Sequence, residues 1–222
     1  GIEQWDEHYD GTGNGEDIPH SIAVDESGNV YVTGHSRGNG TLLDYATIKY
    51  DTDGLLQWVR RYNGTGNGND RAKSITADAS GNVYVTGESD GVGTSIDYAT
   101  IKYSTDGTEE WVNRFNGASN GNDLGYRIAV DVSGNVYATG SSSSGSGQDY
   151  DFATVKYNSI GDQQWVKVYD GPASGEDNPF AIAVDDVGNV YLAGESEGIG
   201  TFTDYATIKY NTNGDQQWAK HH

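Results

Sequence analysis

An all-β chain built from four near-identical antiparallel units is the fold this sequence predicts, and three regularities carry the prediction. Tryptophan stands at Trp5, Trp58, Trp111, Trp165 and Trp218, spaced by 53, 53, 54 and 53 residues. Gly-Asn-Val-Tyr recurs from Gly28, Gly81, Gly134 and Gly188, and Asp-(Tyr/Phe)-Ala-Thr-(Ile/Val)-Lys-Tyr from Asp44, Asp97, Asp151 and Asp204. Helical periodicity is sustained nowhere, whereas period-2 alternation between Gly-, Asn- and Asp-rich turns recurs in each unit. The units are approximately 11–63, 64–116, 117–170 and 171–220, with 1–10 left as an extra outer strand that would close the last unit.

Within the first unit the alternation predicts strands over Ser21 to Asp25, Asn29 to Gly34, Asp44 to Tyr50 and Leu56 to Tyr62. Asp25 to Asn29 and Asp51-Thr52-Asp53-Gly54 read as hairpin turns in which Gly or Asn supplies the positive φ. In the third strand Tyr45, Thr47 and Lys49 share one face, and Ala46, Ile48 and Tyr50 the other. Both faces repeat, as expected when each is covered by a neighbouring unit. Four short antiparallel strands in a unit of this length make a propeller blade, and the whole is an all-β propeller, either a four-bladed ring or half of a larger one. Burying each Trp is worth about 4–6 kcal/mol gross, which makes the Trp strand a structural anchor.

The phrases Gly-Asn-Val-Tyr-Val-Thr-Gly, Asp-Tyr-Ala-Thr-Ile-Lys-Tyr and Tyr-Asn-Gly resemble the bacterial β-propeller repeat family abbreviated SBBP, and the resemblance covers essentially the whole chain. It implies a propeller of the extracellular space or cell envelope, hence a secreted protein. It implies no set of catalytic residues. The family's name suggests seven blades, which four units do not supply alone. Five Trp strands accompany four copies of the others, so three closures are open: a four-bladed ring with a spare strand, a piece of a longer array, or a homodimer completing a larger propeller.

Composition narrows the partners. Lys plus Arg number 13 against 33 Asp plus Glu, a net charge of −20, which argues against nucleic acid and anionic membranes and makes cations the natural ligands. Cysteine is absent, so neither disulfides nor thiolate metal sites are available. No apolar run is long enough to span a bilayer. Position 1 is not Met, which reads as a chain starting after a cleaved leader or as an excised piece, and His221-His222 looks like the start of a purification tag.

Gly-x-Ser-x-Gly occurs from Gly34, Gly87 and Gly194, but a nucleophile elbow needs a strand-to-helix turn and a base. Here the motif leads into a Gly-rich loop between strands, and His8, His20 and His35 do not repeat. A hydrolase is accordingly the weakest reading. The loop after each Trp strand offers alternating oxygens: Asp10, Thr12, Asn14, Glu16 and Asp17; then Asn63, Thr65, Asn67, Asn69 and Asp70. The third copy gives Asn116, Asn120, Asn122 and Asp123, and the fourth Asp170, Ser174, Glu176 and Asp177. This resembles half of a calcium loop, although no Glu stands at the twelfth place, and two readings stay open: turn-making alone, or calcium as cofactor.

Blade geometry should bring Asp17, Asp70, Asp123 and Asp177 near Asp44, Asp97, Asp151 and Asp204, ringing one face with eight carboxylates. Such a ring needs compensation from cations, backbone amides or the repeated Lys49, Lys102, Lys156 and Lys209, for which a buried structural pairing is expected. The loops His35 to Leu43, Glu88 to Ile96, Ser141 to Tyr150 and Glu195 to Thr203 vary most, so recognition of a protein or glycan would sit there. The expectation is a non-enzymatic structural or ligand-binding module with calcium on its acidic face. A carbohydrate-binding propeller with one site per blade is the alternative, and its loops offer only Phe202 and Tyr150 as aromatics.

Overall fold

The computed structural model describes residues 4–145, 149–200 and 202–222. The first blade comprises β1 (Asp17–Val24), β2 (Val30–Arg37), β3 (Leu43–Tyr50) and β4 (Leu56–Tyr62). The second has β5 (Asp70–Ala77), β6 (Val83–Asp90), β7 (Ile96–Tyr103) and β8 (Glu109–Phe115). The third has β9 (Asp123–Val130), β10 (Val136–Ser143), β11 (Tyr150–Tyr157) and β12 (Gln163–Tyr169), and the fourth β13 (Asp177–Val184), β14 (Val190–Glu197), β15 (Thr203–Tyr210) and β16 (Gln216–His221). Each is a four-stranded antiparallel meander in sequence order, and no helix occurs among the described residues. None is therefore long and apolar enough to cross a membrane.

The first strand starts earlier than alternation suggests, at Asp17 rather than Ser21, because a bulge between Pro19 and Ser21 resets the side-chain period. The same bulge recurs between Ala72 and Ser74 and between Pro179 and Ala181. The second strand likewise runs on to Arg37, paired with Leu43, so the variable loop is shorter than expected. In the third and fourth such loops, residues 146–148 and 201 lie outside the described residues.

The turns are built as the sequence implies. Asp25 Oδ1 accepts the backbone N–H of Ser27 and Asn29, while Oδ2 accepts from Asn29 Nδ2 and from the Tyr31 hydroxyl at 2.9 Å. Gly107 holds φ at 83°, and a Cβ there would stand 2.9 Å from the Trp58 ring, so both conformation and space call for glycine.

Aromatic rings form the joints between blades. Trp58 packs tilted against Tyr31 of its own blade at 6.0 Å and against Tyr103 of the next at 6.1 Å, and its indole N–H donates to Thr105 O. Trp111 and Trp165 repeat this with Tyr157 and Tyr210 and with the carbonyls of Ser159 and Thr212. Lys49, Lys102 and Lys156 donate to the same three carbonyls while lying over Tyr31, Tyr84 and Tyr137. The lysines thus serve the joints, as a structural pairing should, and stand at the far end of the third strand from the acidic face. Tyr45 and Tyr98 hydroxyls donate across to Ala99 O and Ala153 O.

Packing runs from each blade to the next: β1, β2 and β3 against β5, then β5, β6 and β7 against β9, then β9, β10 and β11 against β13. Among the described residues no comparable packing joins the fourth blade to the first. Residues 4–10 do not complete the fourth sheet, whose outer place is held by β16. His221 ends that strand and reaches the Tyr169 hydroxyl at 2.6 Å, and His222, just beyond it, exchanges both backbone hydrogen bonds with Tyr205.

Candidate cation site between the third and fourth blades

The acidic face is assembled from one corner that recurs in each blade. The aspartate opening the first strand turns Oδ2 back onto the backbone N–H six residues earlier: Asp17 to Gly11, Asp70 to Gly64, Asp123 to Gly117 and Asp177 to Gly171. Asp70, Asp123 and Asp177 are fully buried, and in all four the other oxygen, Oδ1, accepts no well-formed hydrogen bond. Burial pushes the carboxyl pKa of Asp70, Asp123 and Asp177 up, against the pull of the serines Ser89, Ser142 and Ser196 and of those glycine amides. A carboxylate of the preceding blade adds to the rise: Asp44 acts on Asp70, and Asp97 on Asp123. Three of the predicted pairs meet, each across a blade junction: Asp44 with Asp70, Asp97 with Asp123 and Asp151 with Asp177.

What compensates them is an arginine that the repeat phrases leave out. Arg61 pairs with Asp44 at 2.9 Å and Arg114 with Asp97 at 2.8 Å, with the aspartate side chains only 6% and 4% exposed. Each guanidinium also donates to the hydroxyl and carbonyl of Ser36 or Ser89. It reaches a tyrosine of the preceding Trp segment as well, Tyr9 or Tyr62. Both arginines stand opposite the alanine of the third strand, Arg61 opposite Ala46 and Arg114 opposite Ala99. The same register places Val168 opposite Ala153 and His221 opposite Ala206. Lining up the four Trp strands would have found this column; the signal lay in its variation, not in its repetition.

The third blade therefore lacks the cation. Asp151 faces Asp170 and Asp177 instead, one carboxylate oxygen of each lying within 4.8 Å of the others. Burial, then the charges of Asp170, Asp177 and Asp149, push the Asp151 carboxyl up to about 6. Asp170 stands where the other two junctions have Asn63 and Asn116, which adds a further negative charge. Two junctions thus hold two carboxylates and one arginine, while this one holds three carboxylates and a valine. Among the described residues it is the one group of three or more acidic or histidine side chains at metal-ligand distances.

The remaining sequence candidates have other employment or other surroundings. Asn14, Asn67 and Asn120 stand at φ 46°, 48° and 53°, in the left-handed region that asparagine tolerates, so they shape the turn. The side chains of Asn67 and Asn120 accept from Asn63 and Asn116. Asp10 is exposed on the first loop, and Asp204 lies in the fourth blade, where Tyr169 and His221 occupy the corner. Neither joins the three-carboxylate group. The Gly-x-Ser-x-Gly serines Ser36, Ser89 and Ser196 are buried inside second strands, and His35 is bonded to His20 at 3.0 Å.

Comparison with known proteins agrees with this architecture. The endo-arabinase of Bacteroides thetaiotaomicron VPI-5482 superposes with a TM-score of 0.50 at 12% identity, over 96% of this chain and 85% of that one. The calcium-binding protein regucalcin of Agrobacterium tumefaciens str. C58 gives 0.42 at 12% identity, over 91% and 73%. At 12% identity the likeness to the endo-arabinase is one of fold alone. No curated protein matches the chain. The SBBP family model, described as a beta-propeller repeat, matches residues 9–40, 57–93, 110–147 and 171–200, one segment per blade, and the chain belongs to that family.

Proposed function

We propose that this chain is a non-catalytic propeller module of the extracellular space or cell envelope that binds one calcium ion between its third and fourth blades. One observation carries the reading: at the position where two blades hold an arginine against their carboxylates, the third has Val168, and Asp151, Asp170 and Asp177 converge without it. Exchanging Arg61 and Asn63 for Val168 and Asp170 changes the local charge by two units, which is the charge of a divalent ion. The donors are hard oxygens with no histidine or thiolate among them, which suits calcium, and three carboxylates supply part of its six to eight ligands. The buried Asp177 Oδ1, which accepts no well-formed hydrogen bond, is an oxygen that a cation would satisfy.

The non-catalytic part is supported by the chemistry of the serines, whose buried hydroxyls at Ser36 and Ser89 take an arginine N–H rather than facing a base. Calorimetric titration of chelator-stripped protein with calcium tests the site. A single saturable event is expected, weakened at least tenfold by Asp170→Asn. Absence of binding, or binding indifferent to that substitution, would sink the proposal.

A further inference from the structure

We infer that the two outward faces of this arc, the open side of the first blade and that of the fourth, are halves of one joint, and that a second copy of the chain fills it head to tail. The three joints inside the chain define what a joint needs. The leading blade presents a Trp, a Lys and a Tyr or Phe; the following blade presents a tyrosine ring, the carbonyl of a turn residue and the carbonyl of an alanine. The fourth blade carries the complete leading set in Trp218, Lys209 and Tyr205. Lys209 already lies 5.0 Å over Tyr191, as its counterparts do over theirs. The first blade carries the complete following set in Tyr50, Thr52 and Ala46, at the same places in strand and turn.

Exposure shows that the leading set is open within one chain and that the following face is covered only in part, Tyr50 lying under Trp5 while Ile22 stays bare. Tyr45 and Tyr98 are 0% exposed inside joints, whereas Tyr205 is 79% exposed. Ile75 and Ile128 are 6% and 7% exposed where a preceding blade covers them, whereas Ile22, at the same place on the first blade, is 65% exposed. Beside it runs a groove of about 380 Å³ lined by Trp5, Tyr9, Ile18, Ile22, Ile48 and Tyr50.

The N-terminal segment reveals what the groove is shaped for. Trp5 packs tilted against Tyr50 at 5.8 Å, as Trp111 does against Tyr157 at 5.8 Å. Tyr9 takes the Arg61 N–H at 3.3 Å, as Tyr62 takes that of Arg114 at 3.3 Å. Residues 5–9 therefore sit where the outer strand of a preceding blade would sit, but without that blade's inner strands, so Ile18 and Ile22 stay open. The fourth blade of a second copy brings those strands and its own Trp218, and its β16 takes the seat from residues 5–9. Because the two faces differ, the contact is heterologous, and two arcs of four blades close into a ring of eight with two identical joints.

Sedimentation equilibrium on the 222-residue chain should give twice the 23.8 kDa of one copy. Ile22→Glu spoils only the following face and Tyr205→Glu only the leading face. Both positions are exposed in the single chain, so both variants should keep the fold by circular dichroism and the melting temperature of an isolated arc. Each alone should be monomeric, or at least a hundredfold weaker in self-association, while an equimolar mixture retains one good joint and forms a heterodimer. A native chain that stays monomeric into the high micromolar range would overturn the inference. So would a dimer that survives either substitution, which would mean that like faces meet, or an open ladder of masses, which would mean contact without closure.

Discussion

Val168→Arg should make the protein stable without calcium and deaf to it. Val168 is 55% exposed, so its replacement forfeits little packing, and its register opposite Ala153 aims the new guanidinium at Asp151, with Ser142 in the place of Ser36 and Ser89. The gain follows from the carboxyl pushed from 3.8 up to about 6. Returning it to its ordinary value is worth at most about 3 kcal/mol at neutral pH. Solvent at this half-buried place and the cost of ordering an arginine reduce that to about 1 kcal/mol, or about 2–4 °C in a chain of this length. The sign can be checked independently. A carboxyl that holds its proton more tightly when folded weakens the fold above about pH 6, and the penalty is relieved as pH falls through that value. The calcium-free native chain should therefore gain stability from this group between neutral pH and about pH 4, and the arginine variant should not. Scanning calorimetry at neutral pH, with chelator and with calcium at about a hundredfold over its dissociation constant, reads both effects, since ligand at that excess adds about 2.7 kcal/mol to the native protein. An arginine variant that keeps the full calcium shift would refute the reasoning.

Other perturbations test neighbouring steps. Arg114→Val with Asn116→Asp should transplant the cation site to the junction of the second and third blades, giving two calcium events by titration where the native chain gives one. Arg114→Val alone strands the buried Asp97 carboxylate and should cost about 3 kcal/mol in denaturant unfolding. His20 and His35 are held below their ordinary pKa first by burial, then by neighbouring cationic groups, so both resist protonation when folded. Stability from this pair is present at neutral pH and lost as pH falls below about 6.5; comparing melting curves with those of the double variant His20→Asn with His35→Asn, which lacks the loss, separates it from the opposite trend of Asp151. Gly107→Ala places a Cβ 2.9 Å from the Trp58 ring at φ 83° and should lower stability by about 1–3 kcal/mol in the same denaturant assay.

The repeated parts of this fold were legible because repetition amplifies them. Tyr31, Trp58, Lys49 and the Asp25 turn recur, and each recurs because a joint or a hairpin fails without it. The strand starts were not legible, since the bulge after Pro19 breaks the alternation that marks a strand. At the acidic face, the aspartates could be named and paired by blade geometry, but not sorted. Whether a carboxylate is a ligand or half of an ion pair depends on the residue across the strand, and Arg61 meets Asp44 only through the register of β3 on β4. The asparagines Asn14, Asn67 and Asn120 have the composition of a calcium loop, but their positive φ shapes a turn.

In a chain made of copies, shared residues hold the scaffold and the columns that vary mark where the copies part company. The column Arg61, Arg114, Val168, His221 sits in one corner of every blade, against carboxylates that do not vary, so each substitution changes which cation that corner can hold. Arginine carries its own charge, valine carries none, and histidine is bonded to Tyr169. Joints between blades bury the same rings each time, so loss of charge balance at one corner does not spread into its neighbours. A net charge of −20 in a chain with so few basic residues is tolerable in part because Asp44 and Asp97 are balanced at their own corners by Arg61 and Arg114, and the junction of the third and fourth blades, which has no arginine, is where an ion from outside would add the most stability.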